Sequence, residues 1–340
     1  VTDVVITDPG ELRISKLTGP QPTPGPGEVV VEVDRVSLCG SDCRLYRGTY
    51  GGPHTYPVRF GHEWSGRVAA TGPRVDLAVG TEVTGDCSRW CGGCDLCQVD
   101  RNLCRQIEKF GLTVDGFSTR RRVVPAQYLY PDPYRLGPRL RALAEPFAVA
   151  LHAFDRALAL QPRPQSVLIV GAGPIGLACA LVAARHHHLA AVALCEPDPV
   201  RATIAASIVP EVAVEPDGTG RHQLVVECAG SASGVDTAIT RADPHGQVVL
   251  LGLGHAVPTQ LGLAVTKGLR LVGSIGGTGA FPTALAFLDR NRQVAGSLVT
   301  GTHVAAKAGD AFAAAVEDQT QLKIQVCFEE DCDVEDDRDA

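Results

Sequence analysis

Methionine is absent from the 340 residues, and aromatic side chains make up only 5% of them, with two tryptophans. A basic excess is also missing: the formal net charge is −7, which argues against a nucleic-acid partner. No apolar run is long enough for a membrane span. The longest, Val167 to Ala184, is broken by Gly171, Gly173 and Pro174. The start of the chain lacks the charged-then-apolar pattern of a secretory signal, so the expected compartment is the cytoplasm and no membrane partner is expected. What remains is an ordinary globular composition, 45% hydrophobic and 20% charged, with a length suited to about two domains. The acidic run from Glu329 to Asp339 reads as a solvated tail.

Two periodicities divide the chain. The first part is β-rich: Glu28–Val36 alternates and is β-branched, and Glu63–Ala70 and Val79–Thr84 read as further strands. A Pro/Gly turn segment, Gly19–Gly27, precedes the first. Helical spacing appears over Pro146–Leu160. From Ser166 continuous apolar strands alternate with helices, the first helix expected over Leu177–His188. That pattern means a parallel sheet covered on both faces, a Rossmann-type doubly wound fold. After about Asn291 it stops, and Leu322–Phe328 reads as a last strand.

Gly171, Gly173 and Gly176 form G-x-G-x-x-G directly after the strand Val167–Val170, with Pro174 and Ile175 opening the next helix. Strand before and helix after are the context that makes this a dinucleotide fingerprint. Glu196 lies 20 residues after Gly176, where an acid holds the adenosine ribose hydroxyls. This favours NAD over NADP. Arg201, close by, could stack on adenine or offset Glu196, which leaves NADP open.

Twelve cysteines in a chain without a secretory signal point to metal rather than disulfides. Cys91, Cys94, Cys97 and Cys104 (C-x2-C-x2-C-x6-C) suit a closed structural zinc. An iron–sulfur cluster uses related spacings and ranks behind, because nothing else in the chain speaks of electron transfer. Cys87, Cys179, Cys195, Cys228, Cys327 and Cys332 read mostly as small apolar packing residues.

Cys39-Gly40-Ser41-Asp42 follows a strand, and Gly61-His62-Glu63 opens the frame G-H-E-x2-G-x5-G-x2-V. With the four-cysteine segment and the glycine fingerprint in this order, the chain resembles the zinc-containing medium-chain alcohol dehydrogenase superfamily over nearly its whole length. The resemblance implies a GroES-like β-rich catalytic domain with two zinc sites, from residues 1–155 and 292–340, and a Rossmann domain over 156–291. It implies two zinc ions per chain and a homodimer or homotetramer. It places the catalytic zinc on Cys39, His62 and Glu145, the last as in the polyol (sorbitol) dehydrogenase branch. Glu63 becomes a neighbouring carboxylate able to exchange onto the metal. Ser41 becomes the hydroxyl that takes the alcohol proton. Many relatives carry a histidine relay where this chain has Arg44, which stays protonated.

Shorter strings narrow the resemblance. Cys39–Gly48, Tyr56-Pro57, Gly61–Gly66, Phe110–Gly116 and Glu145–Arg156 are similar to dehydrogenases of aminoglycoside antibiotic biosynthesis, which oxidise a ring hydroxyl of an aminocyclitol of the 2-deoxy-scyllo-inosamine type. Arg120-Arg121-Arg122 and a short Ile208–His222 stretch depart from the relatives' pattern. The alternatives are a polyol such as sorbitol, L-threonine, or, from another class, a non-catalytic nucleotide-binding protein. The last should lose metal ligands first, and none is missing.

Overall fold

The computed structural model describes residues 2–16, 20–161, 163–217, 220–253, 260–329 and 332. The acidic segment beyond Glu329 lies outside these residues apart from Cys332, and so does Gly19 of the expected turn. Glu329 itself, expected to open a solvated tail, pairs with Arg67 at 3.2 Å.

The chain forms two compact units, Val1–Glu145 with Phe281–Ala340, and Pro146–Ala280. In the first unit Glu28–Ser37 is the organising strand. It pairs antiparallel with Glu63–Thr71, Arg121–Pro125 and Lys323–Cys327, so the end of the chain completes a sheet begun by its start. Nearly every residue of Glu28–Ser37 is buried, where alternation alone implied one wet face. The two bulges opposite Glu63–Thr71 re-aim its side chains. The buried Asp34 is satisfied by guanidinium groups, with Arg67 at 3.0 Å and Arg141 at 3.4 Å. The strand expected from Val79 starts instead at Glu82, because Gly80 sits at φ +87° in a turn.

The second unit is a six-stranded parallel sheet. Its order is Ala213–Glu215, Val192–Cys195, Val167–Val170, His222–Glu227, Ala242–Leu250, Arg270–Gly273. This is the 3-2-1-4-5-6 order of a dinucleotide-binding sheet. The first helix runs Pro174–Arg185, three residues earlier than the apolar spacing indicated. Proline supplies a preset φ at its first position, and His188 at φ +52° lies beyond its end. Six residues link Glu215 to His222, and no helix occurs among those described.

One cysteine expectation needs correcting. Cys327 and Cys332 are joined in a disulfide, with Cα atoms 6.3 Å apart. Cys327 ends the last strand and the chain returns within five residues, a local closure that compartment reasoning could not anticipate. Cys87, Cys179 and Cys195 are buried free thiols, as packing residues should be.

Candidate active site

The glycine loop follows the strand Val167–Val170, at the carboxyl edge of the parallel sheet. A Cβ on Gly176 would lie 1.8 Å from the Gly171 carbonyl oxygen, so only glycine lets the helix start this close to the turn. A Cβ on Gly173 would meet nothing within 4 Å, which leaves its backbone open to a ligand. Pro174 and Ile175 form the half-buried first turn. Glu196 is buried beside this loop. Its two carboxylate oxygens accept the N–H groups of Ala172 (2.8 Å) and Asp198 (3.0 Å). Arg201 stands in the following helix, where its backbone N–H is capped by Asp198, and it does not line the groove next to Glu196.

Cys91, Cys94, Cys97 and Cys104 converge as the spacing implied, their sulfurs all within 4.8 Å of one another. Sulfurs about 2.3 Å from a tetrahedral zinc lie about 3.8 Å apart. Here Cys91–Cys97 is 4.0 Å and Cys91–Cys104 is 3.6 Å. The N–H groups of Cys91 (3.2 Å) and Gln106 (3.3 Å) point at the Cys104 sulfur. Backbone donors from Arg105 and Cys97 hold the Cys94 thiol down at about 6. Donors aimed at sulfur favour thiolate, the form that binds metal, so these residues fit a structural zinc.

The second cluster is assembled from distant segments. Cys39 caps the helix Gly40–Tyr46, and the third residue of that helix, Asp42, is fully buried. The Asp42 carboxylate accepts the N–H of Cys39 (2.9 Å) and of Gly61 (3.2 Å), tying the cysteine loop to the Gly61-His62-Glu63 turn. The turn is buttressed from outside. A Cβ on Gly116 would fall 2.3 Å from the Gly61 carbonyl oxygen, so the Phe110–Gly116 string can pack there only with glycine at its end. Cys39, His62 and Glu63 offer ligand atoms within 4.8 Å of one another, and Ser41 Oγ lies 3.5 Å from His62 Nε2. His62 Nδ1 is buried with no hydrogen-bond partner, 3.7 Å from Asp42. Burial favours the neutral ring, but Asp42 and Cys39 hold His62 well above its ordinary value. A half-buried soft thiol, a buried imidazole with an orphaned nitrogen and a buried carboxylate make a donor set that fits zinc.

Glu145 stands outside that closest set. It is buried in the first turn of the helix Ala144–Leu160. Burial, reinforced by the Glu63 carboxylate, pushes it up to about 7, with His62 opposing. Sequence reasoning missed two supporting residues, Asp42 and Lys323. The Lys323 ammonium is buried and donates to both Glu63 oxygens (2.9 and 2.7 Å) and to the Leu38 carbonyl (3.2 Å). A lysine inside the apolar strand Lys323–Cys327 was the available signal. Arg44, where a relay histidine is common, is half-buried one helical turn after Ser41.

With this geometry in place, the comparisons give the class. The alcohol dehydrogenase GroES-like domain profile matches residues 25–134, and the glucose dehydrogenase C-terminus profile matches residues 139–328. The chain belongs to the zinc-type medium-chain alcohol dehydrogenase superfamily. It is 31% identical to an L-threonine 3-dehydrogenase of Thermococcus kodakarensis over 249 residues, 68% of this chain and 70% of the relative. A crystal structure of the Escherichia coli alcohol dehydrogenase RspB with NADH superposes at TM-score 0.85, with 26% identity and coverage of 96% and 99% of the two chains. A zinc-binding dehydrogenase of Sinorhizobium meliloti bound to NADP superposes at 0.83, with 26% identity and coverage of 96% and 98%.

Proposed function

We propose that the chain oxidises a secondary alcohol to a ketone, passing hydride to NAD, and that its substrate is an aminocyclitol of the 2-deoxy-scyllo-inosamine type. The observation that carries the chemistry is the Cys39–His62–carboxylate cluster, its imidazole and carboxylate buried, in a chain that also bears the glycine loop with Glu196. Cys39, His62 and Glu145 hold the catalytic zinc, with Glu63 as the exchanging carboxylate. Cys91, Cys94, Cys97 and Cys104 hold the structural one. Bound in the first site, zinc supplies Lewis-acid polarisation of an alcohol oxygen, which lowers the barrier to losing its proton.

The chain's own residues do the rest. Ser41, beside His62, accepts the alcohol proton and hands it on. Arg44 cannot accept it, so the onward path avoids that side chain. Lys323 neutralises Glu63 and keeps its charge tolerable in a buried site. Gly173, Ile175 and Gly176 present backbone N–H groups to the pyrophosphate, while Gly171 makes the turn and Pro174, which has no N–H, opens the helix. Glu196 takes the adenosine ribose, with Arg201 near the adenine.

The aminocyclitol reading is supported by the strings that resemble such enzymes, three of which, Cys39–Gly48, Tyr56-Pro57 and Phe110–Gly116, are tied within the first unit directly or through a neighbouring residue. The Tyr56 hydroxyl donates to the Leu45 carbonyl, Thr55 N–H reaches Leu112, and Gly116 N–H reaches Arg59. L-Threonine is the second reading, favoured by the Thermococcus relative. We further propose the boundaries 1–155 with 292–340 and 156–291 for the catalytic and nucleotide domains, a homodimer or homotetramer, and a cytoplasmic location. Among the described residues no helix is long and apolar enough to cross a membrane.

The test is NAD+ reduction by zinc-loaded protein with 2-deoxy-scyllo-inosamine, sorbitol and L-threonine side by side. Preference for the aminocyclitol is the expected outcome. Turnover confined to L-threonine or sorbitol moves the enzyme to that branch, and absence of turnover with all three, zinc bound, refutes the substrate assignment.

A further inference from the structure

We propose that Asp217 is a cofactor-specificity residue: together with Glu196 it takes the two hydroxyls of the adenosine ribose and excludes a 2′-phosphate, making the enzyme selective for NAD. This rests on the dinucleotide reading above and extends it to a residue outside the glycine fingerprint.

The placement follows from strand register. Val192–Cys195 and Ala213–Glu215 are parallel neighbours with Cys195 level with Glu215. Neighbouring strands lie about 4.8 Å apart. Glu196-Pro197 and Pro216-Asp217 therefore leave the sheet side by side, at the edge where the glycine loop also emerges. Two contacts fix this arrangement: Glu196 N–H donates to the Glu215 carbonyl (3.0 Å), and the Cys195 thiol to the Pro216 carbonyl (3.5 Å). The Cys195 thiol is raised by burial and then by the Glu196 and Asp217 carboxylates, with Arg241 opposing, as expected if all three stand near it.

Gly171, Glu196, Asp217 and Ser231 line one groove of about 700 Å³. Its breadth has a cause in the chain. A parallel crossover normally needs a dozen or more residues, usually a helix. Here six residues join Glu215 to His222. Among the described residues no crossover helix covers this part of the sheet, and Asp217 stays on the groove wall.

The two acids differ in what they have left to offer. Both Glu196 oxygens already accept a backbone N–H. Asp217 is exposed and, among the described residues, makes no hydrogen bond or ion pair. Its full acceptor capacity is available to a ribose diol. Among the described residues the groove is lined by three carboxylates, Glu196, Asp217 and Asp236, and one guanidinium, Arg241. A 2′-phosphate, carrying close to two negative charges, would meet more carboxylates than guanidinium groups on this wall.

The experiment is fluorescence titration of the zinc-loaded full-length protein with NADH and with NADPH, at low and high salt, for the wild type, Asp217→Asn and Asp217→Glu. Wild type binds NADH more tightly. Asp217→Asn narrows the NADH/NADPH ratio about three- to fivefold, mainly by tightening NADPH, the size expected of one exposed charge. Asp217→Glu restores the ratio, and high salt narrows it more in the wild type than in Asp217→Asn. An unchanged ratio in an Asp217→Asn protein that melts like the wild type overturns the inference and leaves the dinucleotide site standing. Tighter NADPH binding by the wild type also overturns it, whereas failure to bind either cofactor overturns the dinucleotide reading as well.

Discussion

The four-cysteine loop and the Cys39–His62–Glu63 cluster are two sites in one unit, built in opposite ways. The first is contained between Cys91 and Cys104, and its sulfurs are oriented by N–H groups of the same loop. The second draws on Cys39, the Gly61-His62-Glu63 turn, Glu145 and Lys323, and it exists only once the sheet has joined the end of the chain to its start. A local site can order a segment that has little core of its own. A site gathered from distant strands is held by the fold, and can spend its ligands on chemistry. Loss of metal should therefore cost stability at the first and activity at the second.

The largest effect should come from His62→Ala. It lowers kcat/KM at least about a thousandfold, some 4 kcal/mol of transition-state stabilisation. Metal analysis should then find one zinc per chain, with the melting temperature little changed. Cys104→Ser is the mirror image. It costs more than about 4 kcal/mol of stability in denaturant unfolding, as loss of a structural metal does. If both variants lost stability equally, the contrast between the sites would be wrong.

Lys323→Met comes next. It leaves the buried Glu63 carboxylate without its partner, at a cost of about 3–5 kcal/mol. Denaturant unfolding of Lys323→Met beside a Glu63→Gln, Lys323→Met double variant checks the cause, since the double variant should recover much of the loss.

The smallest effect is on pH dependence, and it is specific to the second site. Glu145, raised to about 7, and His62, raised well above its ordinary value, both hold protons more tightly in the metal-free fold. The Glu145 contribution is complete below the ordinary carboxyl range and is lost as pH rises through about 7. The His62 contribution is likewise lost as pH rises through its elevated value. Metal-free protein should thus melt a few degrees lower at pH 8 than at pH 5. With zinc the slope reverses, because the same deprotonations create ligands. Melting curves across this range, with and without chelator, check the reversal.

The contrast also explains what could be read in advance. The four cysteines and the three glycines are local patterns, so sequence spacing carried their geometry. Lys323 and Asp42 act across the sheet and across a loop-to-turn tie, and no local spacing announces them. Their only traces are a charge inside an apolar strand and an acid in a helix's first turn. Glu145 was legible through the family resemblance, yet the structure sets Glu63 closer to Cys39 and His62. The disulfide between Cys327 and Cys332 escaped because compartment reasoning weighed against every cysteine pair at once.

The most direct test of the account is NAD+ reduction with a secondary alcohol, followed through selective removal and return of one zinc. Chelation that takes one of two zinc ions should abolish turnover while the protein stays folded, and stoichiometric zinc should restore it. Undiminished turnover by protein with no metal bound at Cys39 and His62 would contradict the central claim.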